Sequence, residues 1–348
     1  MRILARSGVY MHMQTGRLSM APLMALGALT ISGWAQPSAG VAGPVTGFIF
    51  SPSGNIGPML GIPGAAYLGP AVATGLNAAS VAPDGSAALA VQQVTQLVLY
   101  SGLRKGIPVA LAVTGAIAGP DHFAWAANGA SAAVYSSTAA QGQILTRLAP
   151  SPSPVAAAPI DLSGLPGPVT VLAFDGQRLI VGVSGDSGGI YLAGAAAGDQ
   201  RIATAANPSA IALAGGSLYF ADSQSQQIFQ VLNYAGTLAA TVFANDSGID
   251  SPAGLQVSAD GQRLFVANAG NRKLAVYDIA SRTPIQTVAL NFTPTRLDLF
   301  GDSSVFLMNG SGQGPLYVVR DGGAGKAAVF FVPPPGKSGP RRPPIRPM

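Results

Sequence analysis

From Val45 to Pro333 the chain is written in short alternating runs of apolar and small or polar residues, with no stretch showing the spacing of an amphipathic helix. Ala253–Ile279 is the clearest sample. It has one alternating run, the turn Asp260-Gly261, a second run closing on Ala267-Asn268, a polar connection, and a third run from Leu274. Asp-Gly recurs at 84–85 and 175–176, and this dipeptide suits tight hairpins because both of its residues tolerate positive φ. Period-two alternation predicts strands with one buried face.

The same phrase returns along the chain. Pro208–Leu232 repeats it, with Ala221-Asp222 closing the second run and the third starting at Ile228; looser copies begin at Ala79, Gly115, Val169 and Pro294. Second strands are predicted around Leu89, Trp125, Ile180, Tyr219, Phe265 and Phe306. Their spacing is roughly 40 residues, apart from one long step that holds a Pro/Ala/Ser-rich insert over 149–167. Val45–Ile62 reads as the last two strands of one further unit. Four short antiparallel strands per repeat, with no helix between them, describe propeller blades. The expectation is an all-β propeller of about seven four-stranded blades, a six-bladed ring being the alternative. The N-terminal strands would share a blade with the strand around Ala327–Pro333, closing the ring without open edges.

Ala253–Ile279 resembles the repeat of the YVTN family of bacterial β-propellers in its Asp-Gly, Leu-Phe-Val-Ala-Asn and Leu-Ala-Val-Tyr-Asp elements. Pro208–Leu232 is similar to the related NHL repeat, through Leu-Tyr-Phe-Ala-Asp and Gln-Gln-Ile-Phe-Gln-Val. The two copies cover about a seventh of the chain, and such repeats imply a fold far more strongly than a function.

Composition narrows the compartment and the chemistry. Residues 1–35 carry a positive charge at Arg17, an apolar run from Met20 to Ile31, and Gly33-Trp34-Ala35 ahead of Gln36, which is the grammar of a signal peptide. The run is shorter than the roughly 20 residues that span a bilayer. The expectation is therefore a secreted or periplasmic protein with no transmembrane segment after cleavage. Residues 36–333 form the propeller domain. Residues 334–348 form an extended Pro/Arg-rich tail, suited to weak contact with an anionic surface through Lys337, Arg341, Arg342 and Arg346. The net charge of +5 belongs to these two ends: residues 36–336 hold 12 Lys and Arg against all 14 acidic residues, about −2. With no basic patch in the body, nucleic-acid binding is not expected.

There is no Cys, and every acidic residue is Asp. Disulfides, thiolate chemistry and Cys-zinc sites are thereby excluded. Gly185–Gly189, Gly-Asp-Ser-Gly-Gly, matches hydrolase nucleophile motifs, but those need a histidine base, and after the leader only His122 remains. The five residues fall in register with the connection between second and third strands in the other copies, so they read as a blade turn. His122 follows Gly-Pro-Asp and is expected at a hairpin turn. Calcium stays open as a cofactor, since Asp and carbonyl oxygens suffice, with Asp246 and Asp250 the best pair.

One constellation remains. Each copy closes its second strand on a polar residue: Gln92, Asn128, Ser184, Asp222, Asn268 and Asn309. These are expected to ring one mouth of the central channel, either as a ligand site with Arg272 adding a cation, or as caps on turn amides. The function expected is a binding or scaffolding module for a protein or carbohydrate, and not an enzyme. The alternative is a propeller enzyme of the lactonase or quinoprotein type, although the Glu ligand and Trp-rich blades of those proteins are missing.

Overall fold

The computed structural model describes residues 43–195, 198–236, 239–309, 316–323 and 326–333. The expected leader and basic tail lie outside these residues. Seven antiparallel sheets follow one another along the chain. Blade 1 has three strands, Val45–Ser51, Asn55–Leu60 and Tyr67–Leu68. Blade 2 runs from Ala78 to Ala112, blade 4 from Val169 to Thr204, blade 5 from Pro208 to Ala244, blade 6 from Pro252 to Ala289 and blade 7 from Leu297 to Val332, each with four strands. Blade 3 runs from His122 to Asp161, and its outer strand is split into Val155–Ala156 and Ile160–Asp161, both paired with Gln141–Thr146. The insert over 149–167 is thus a proline-broken outer strand. Buried Gln143 secures it by donating from Nε2 to Ala157 O at 2.7 Å and to Gly115 O at 2.8 Å.

The core lies between the sheets. Seven apolar clusters occupy the seven blade interfaces, including one between blades 7 and 1. This changes the meaning of the alternation. In the second strand of blade 6, Arg263–Asn268, every residue is buried; Leu264 and Val266 pack toward blade 5, while Phe265 and Ala267 pack toward blade 7. The period of two divides side chains between two neighbouring blades, so second strands have both faces covered, where one had been expected.

The Asp-Gly turns at 84–85, 175–176 and 260–261 join first to second strands, with positive φ at each glycine. In each, the aspartate Oδ1 accepts a backbone amide two residues on, from Ser86, Gln177 and Gln262. In blade 3 the first strand is His122–Trp125 and the second is Ala132–Ser136. The second strand expected around Trp125 is therefore the first, because its alanine-rich neighbours alternate equally well.

Ring closure also differs from expectation. Ala328–Val332 is the fourth strand of blade 7, paired with Leu316–Arg320, and not a partner of the N-terminal strands. Among the described residues no strand pairs across this seam. Ile49 and Met59 of blade 1 pack instead against Phe300, Leu307, Val318 and Val332 of blade 7. Burying one large apolar side chain contributes roughly 1.5–3 kcal/mol, so a cluster of this size can hold the seam without a shared strand.

Candidate functional site at the channel mouth

In blades 2–7 the first strand is innermost, and these strands, with Val45–Ser51 of blade 1, wall a channel of about 760 Å³. In blades 2–7 the first strand starts beside the end of the second, as the pairs Pro208 with Asp222 and Pro252 with Asn268 show. One mouth is therefore framed by first-strand starts and by the connections between blades. Hydroxyls stitch this wall together: Thr170 Oγ1 donates to Pro208 O at 2.6 Å, and Ser209 Oγ to Pro252 O at 2.5 Å, each in the following blade.

Two charged groups stand in the channel. Arg296 Nε donates to Asp298 Oδ1 at 2.8 Å, and the two side chains remain 53% and 35% exposed. The Coulombic pull of Asp298 raises the already high pKa of Arg296. Across the mouth, Asp121 accepts from His122 Nδ1 at 3.0 Å and from the Ser137 amide at 3.1 Å. Burial pushes the Asp121 carboxyl up, but the Ser137 and His122 hydrogen bonds outweigh that and leave it below the ordinary carboxylate range. His122 opens the first strand of blade 3, edge-on to Tyr135 with ring centroids 5.6 Å apart, and is not on a hairpin turn.

Of the six polar residues expected to ring this mouth, five stand on its face but outside the channel lining, and one at the opposite face. Gln92, Ser184, Asp222, Asn268 and Asn309 do close or directly follow second strands, one strand outward from the channel wall. Asn128 lies in the hairpin between first and second strands of blade 3, at the opposite end of the blade, where its Oδ1 accepts the Ala130 amide. The second strand there closes on Ser136.

Most of the others are tied to backbone. Asp222 accepts from the amides of Ala206 (3.1 Å), Asn207 (3.0 Å) and Gln224 (3.0 Å). Asn268 Oδ1 takes the Asp250 amide at 3.1 Å, and Asn309 Oδ1 takes the Thr295 amide at 2.8 Å. Gln92 Nε2 donates to the Tyr100 hydroxyl at 2.7 Å. Each acceptor fixes the connection entering its own blade or its own turn. Arg272, at φ 54° in the second-to-third loop of blade 6, is exposed.

Ser184 and Asp186 line a shallower hollow of about 440 Å³ with Asn207 and Gln224. Gly185–Gly188 connects the second and third strands of blade 4, as its register implied. Asp246 accepts the Tyr277 hydroxyl at 2.9 Å, whereas Asp250 packs against Gly270. Among the described residues no three His or Asp side chains gather as metal ligands, and no helix is long and apolar enough to cross a membrane.

Taken with this geometry, the described chain is a seven-bladed β-propeller. No family model and no curated protein matches it. Solved structures similar to it include the WD40 repeats of RRP9, with a TM-score of 0.55, 14% identity, and coverage of 75% of this chain and 82% of that one. U3-55K is similar at a TM-score of 0.54 and 14% identity, over 74% of this chain and 82% of that one. At such identity the likeness concerns the fold alone.

Proposed function

We propose that this protein is a secreted or periplasmic binding propeller of the YVTN/NHL type that takes a protein or carbohydrate ligand at the channel mouth framed by the interblade connections. The observation that carries the reading is the pairing of a 760 Å³ channel with charged side chains left open inside it, Arg296 and Asp298 on one side and Asp121, hydrogen-bonded to His122, on another. Partly desolvated charges on a preformed concave wall are suited to orienting a polar ligand. The capped connections give that wall rigidity, which lowers the entropy lost on binding. The two YVTN- and NHL-like copies and the leader support the compartment.

The test is calorimetry of the purified protein against panels of oligosaccharides and charged peptides, repeated with R296A and with H122A. Ligand binding that weakens tenfold or more in either variant supports the reading. Binding untouched by both, yet lost on substituting outer-rim residues such as Ile107 or Val109, would refute it. N-terminal sequencing of the exported protein should begin at Gln36; a mature protein retained in the cytoplasm would refute the compartment.

A further inference from the structure

The outer strand of a blade carries a row of unpaired amides and carbonyls, an edge that invites pairing with another strand unless something blunts it. Most blades here are blunted. In blade 3 the outer strand is broken into two two-residue pieces with Pro159 between them. In blade 4 it carries exposed Asp199 and Arg201 and two register shifts. In blade 5, Arg282 Nη1 donates to Val242 O at 3.2 Å, and in blade 6 the outer strand contains Pro284 and a register shift. In blade 7 the Arg320 guanidinium lies 5.9 Å from the centre of the Phe330 ring, and Gly64 of blade 1 packs on the same ring. The outer strand of blade 1 is only Tyr67–Leu68, so Val45–Ile62 is not the last pair of strands in its unit.

Blade 2 has none of these guards. Its outer strand Val109–Ala112 is uncharged and free of proline, and its pairing with Val98–Ser101 runs without a register shift. Val113 N donates to Leu97 O at 3.1 Å, which extends the same register and makes Leu97 with Val113 a hydrogen-bonded pair. Such pairs alternate along an antiparallel ladder, so Leu111 and Val109 also turn their amides inward, to Leu99 and Ser101. The N–H and C=O of Ala110 and Ala112 therefore turn outward. Among the described residues no strand pairs with that edge. Its side chains are open as well: Ala110 and Ala112 are exposed, Val109 is 50% exposed, and Ile107 just before the strand is 75% exposed. Charge is sparse around it. From Gly43 to Pro120 only Asp84, Arg104 and Lys105 are charged, and Arg104 Nε is turned back onto Asp84 O at 2.5 Å.

We propose that the outer edge of blade 2 docks a second copy of this chain, Val109–Ala112 pairing antiparallel with the same strand of the partner about a two-fold axis at Leu111. The occupant follows from the edge itself, independently of what the channel binds. An axis at Leu111 sets Ala110 opposite the partner's Ala112 and Ala112 opposite the partner's Ala110, so every outward amide and carbonyl of the two strands meets its complement. Leu111 then lies opposite the partner's Leu111 as a non-hydrogen-bonded pair, the closer kind, with Cα atoms about 4.5 Å apart. Leu111 is already half-buried against the cluster of Leu97, Leu99 and Val113, and the partner covers its open side. Small faces small and large faces large along this register, and no like charges are brought together. Pro108, which has no amide, ends the ladder on each side. Two four-stranded sheets thereby become one of eight strands, with the same patch used by both copies as a closed two-fold dimer requires. So short a ladder buries little surface, which makes this a weak dimer, formed at high protein concentration.

Sedimentation velocity of the purified protein from about 5 µM to about 300 µM should show the mean mass rising toward twice that of the monomer. Ala110→Pro removes an outward amide and leaves the inward ladder intact, a place where an edge strand tolerates proline, so it should fold with an unchanged melting temperature and self-associate at least tenfold more weakly. Ala112→Lys, which sets a cation opposite the partner's Ala110, should weaken association equally. The chain has no cysteine, so Leu111→Cys can be read without background. Under mild oxidation at the higher concentration it should form an interchain disulfide in most molecules, the expected Cα separation lying within disulfide range. Val94→Cys, exposed in the second-to-third loop of the same blade, should give only traces. A protein monomeric at about 300 µM would overturn the proposal, as would association unchanged in both A110P and A112K, or L111C cross-linking no more than V94C. A monomer that instead sediments with phosphatidylglycerol vesicles, and loses this with Ile107→Ser, would overturn it in favour of a lipid surface.

Discussion

Asp222→Ala separates the two roles a polar residue at the end of a second strand can play. Asp222 is 3% exposed and its carboxylate accepts three backbone amides. Asn207 and Gln224 are exposed, so water can replace the lost acceptor there, whereas Ala206 is half-buried and its amide is harder to rehydrate. One poorly satisfied amide costs about 1–3 kcal/mol and each rehydrated one a fraction of that, so the expected loss is about 2–3 kcal/mol. Asp222→Asn keeps an oxygen for Asn207 and Gln224 but turns an NH₂ toward the Ala206 amide, so its expected loss is about 1–2 kcal/mol. Urea unfolding followed by far-ultraviolet circular dichroism gives the ordering, wild type above Asn above Ala. An Ala variant within about 0.5 kcal/mol of wild type that lost ligand binding would refute the reasoning and assign the carboxylate to a ligand.

Three further predictions follow from the packing. At the seam of blades 7 and 1, a Cβ on Gly47 would lie 2.6 Å from the Phe300 ring. Gly47→Ala should therefore cost about 1–3 kcal/mol, most of it recovered in the double variant with Phe300→Leu; additive losses in a thermal-melt cycle would show that the two do not meet. Arg263, its side chain 10% exposed, pairs with Asp321 Oδ2 at 2.8 Å and Asp260 Oδ2 at 3.0 Å, tying blade 6 to blade 7. Asp321→Asn should destabilise by about 2–3 kcal/mol, since it strips a nearly buried guanidinium of its inner partner; a urea midpoint equal to wild type would contradict this. Burial, together with Asp175 beside its hydroxyl, pushes the Tyr234 pKa up to about 12, and burial with Asp246 raises that of Tyr277. Both phenols stay neutral in the folded state after they would ionise in the unfolded one, so their contribution is intact below about pH 10 and is lost as pH rises toward 12 and beyond. Absorbance at about 295 nm should show these two tyrosines titrating with unfolding and the variants Tyr234→Phe and Tyr277→Phe flattening the alkaline loss; titration near pH 10 in folded protein would be inconsistent.

The fold was legible where local chemistry and tertiary role coincide. Asp84-Gly85, Asp175-Gly176 and Asp260-Gly261 mark hairpins because the aspartate oxygen and the glycine backbone make the turn unaided. Blade 3 makes the equivalent turn with Asn128-Gly129, where Asn128 Oδ1 accepts the Ala130 amide, but the alanine-rich strands on either side alternate so evenly that the pattern reads one strand out of place. The position of Asp222 and Asn268 at strand ends could be read, but not that interblade connections fold over them. That burial comes from segments distant in sequence. The channel wall escaped for a related reason: Asp121, Thr170, Ser209 and Arg296 occupy comparable places near first-strand starts with no shared residue type, so no repeated letter marks them. Gln143 likewise resembles any exposed strand glutamine until the broken outer strand of blade 3 closes on it.

The central claim is that the described chain is one closed ring, with the seam between blades 7 and 1 held by apolar packing as firmly as the other six interfaces. Native-state hydrogen exchange in increasing urea tests it directly. The strand amides of Val45–Leu60 and Leu316–Val332 should open in the same cooperative step as Leu218–Val231 of blade 5, at the global unfolding free energy. If blade 1 or blade 7 instead exchanged at several kcal/mol below the remaining blades, the ring would be open at that seam and the account would be wrong.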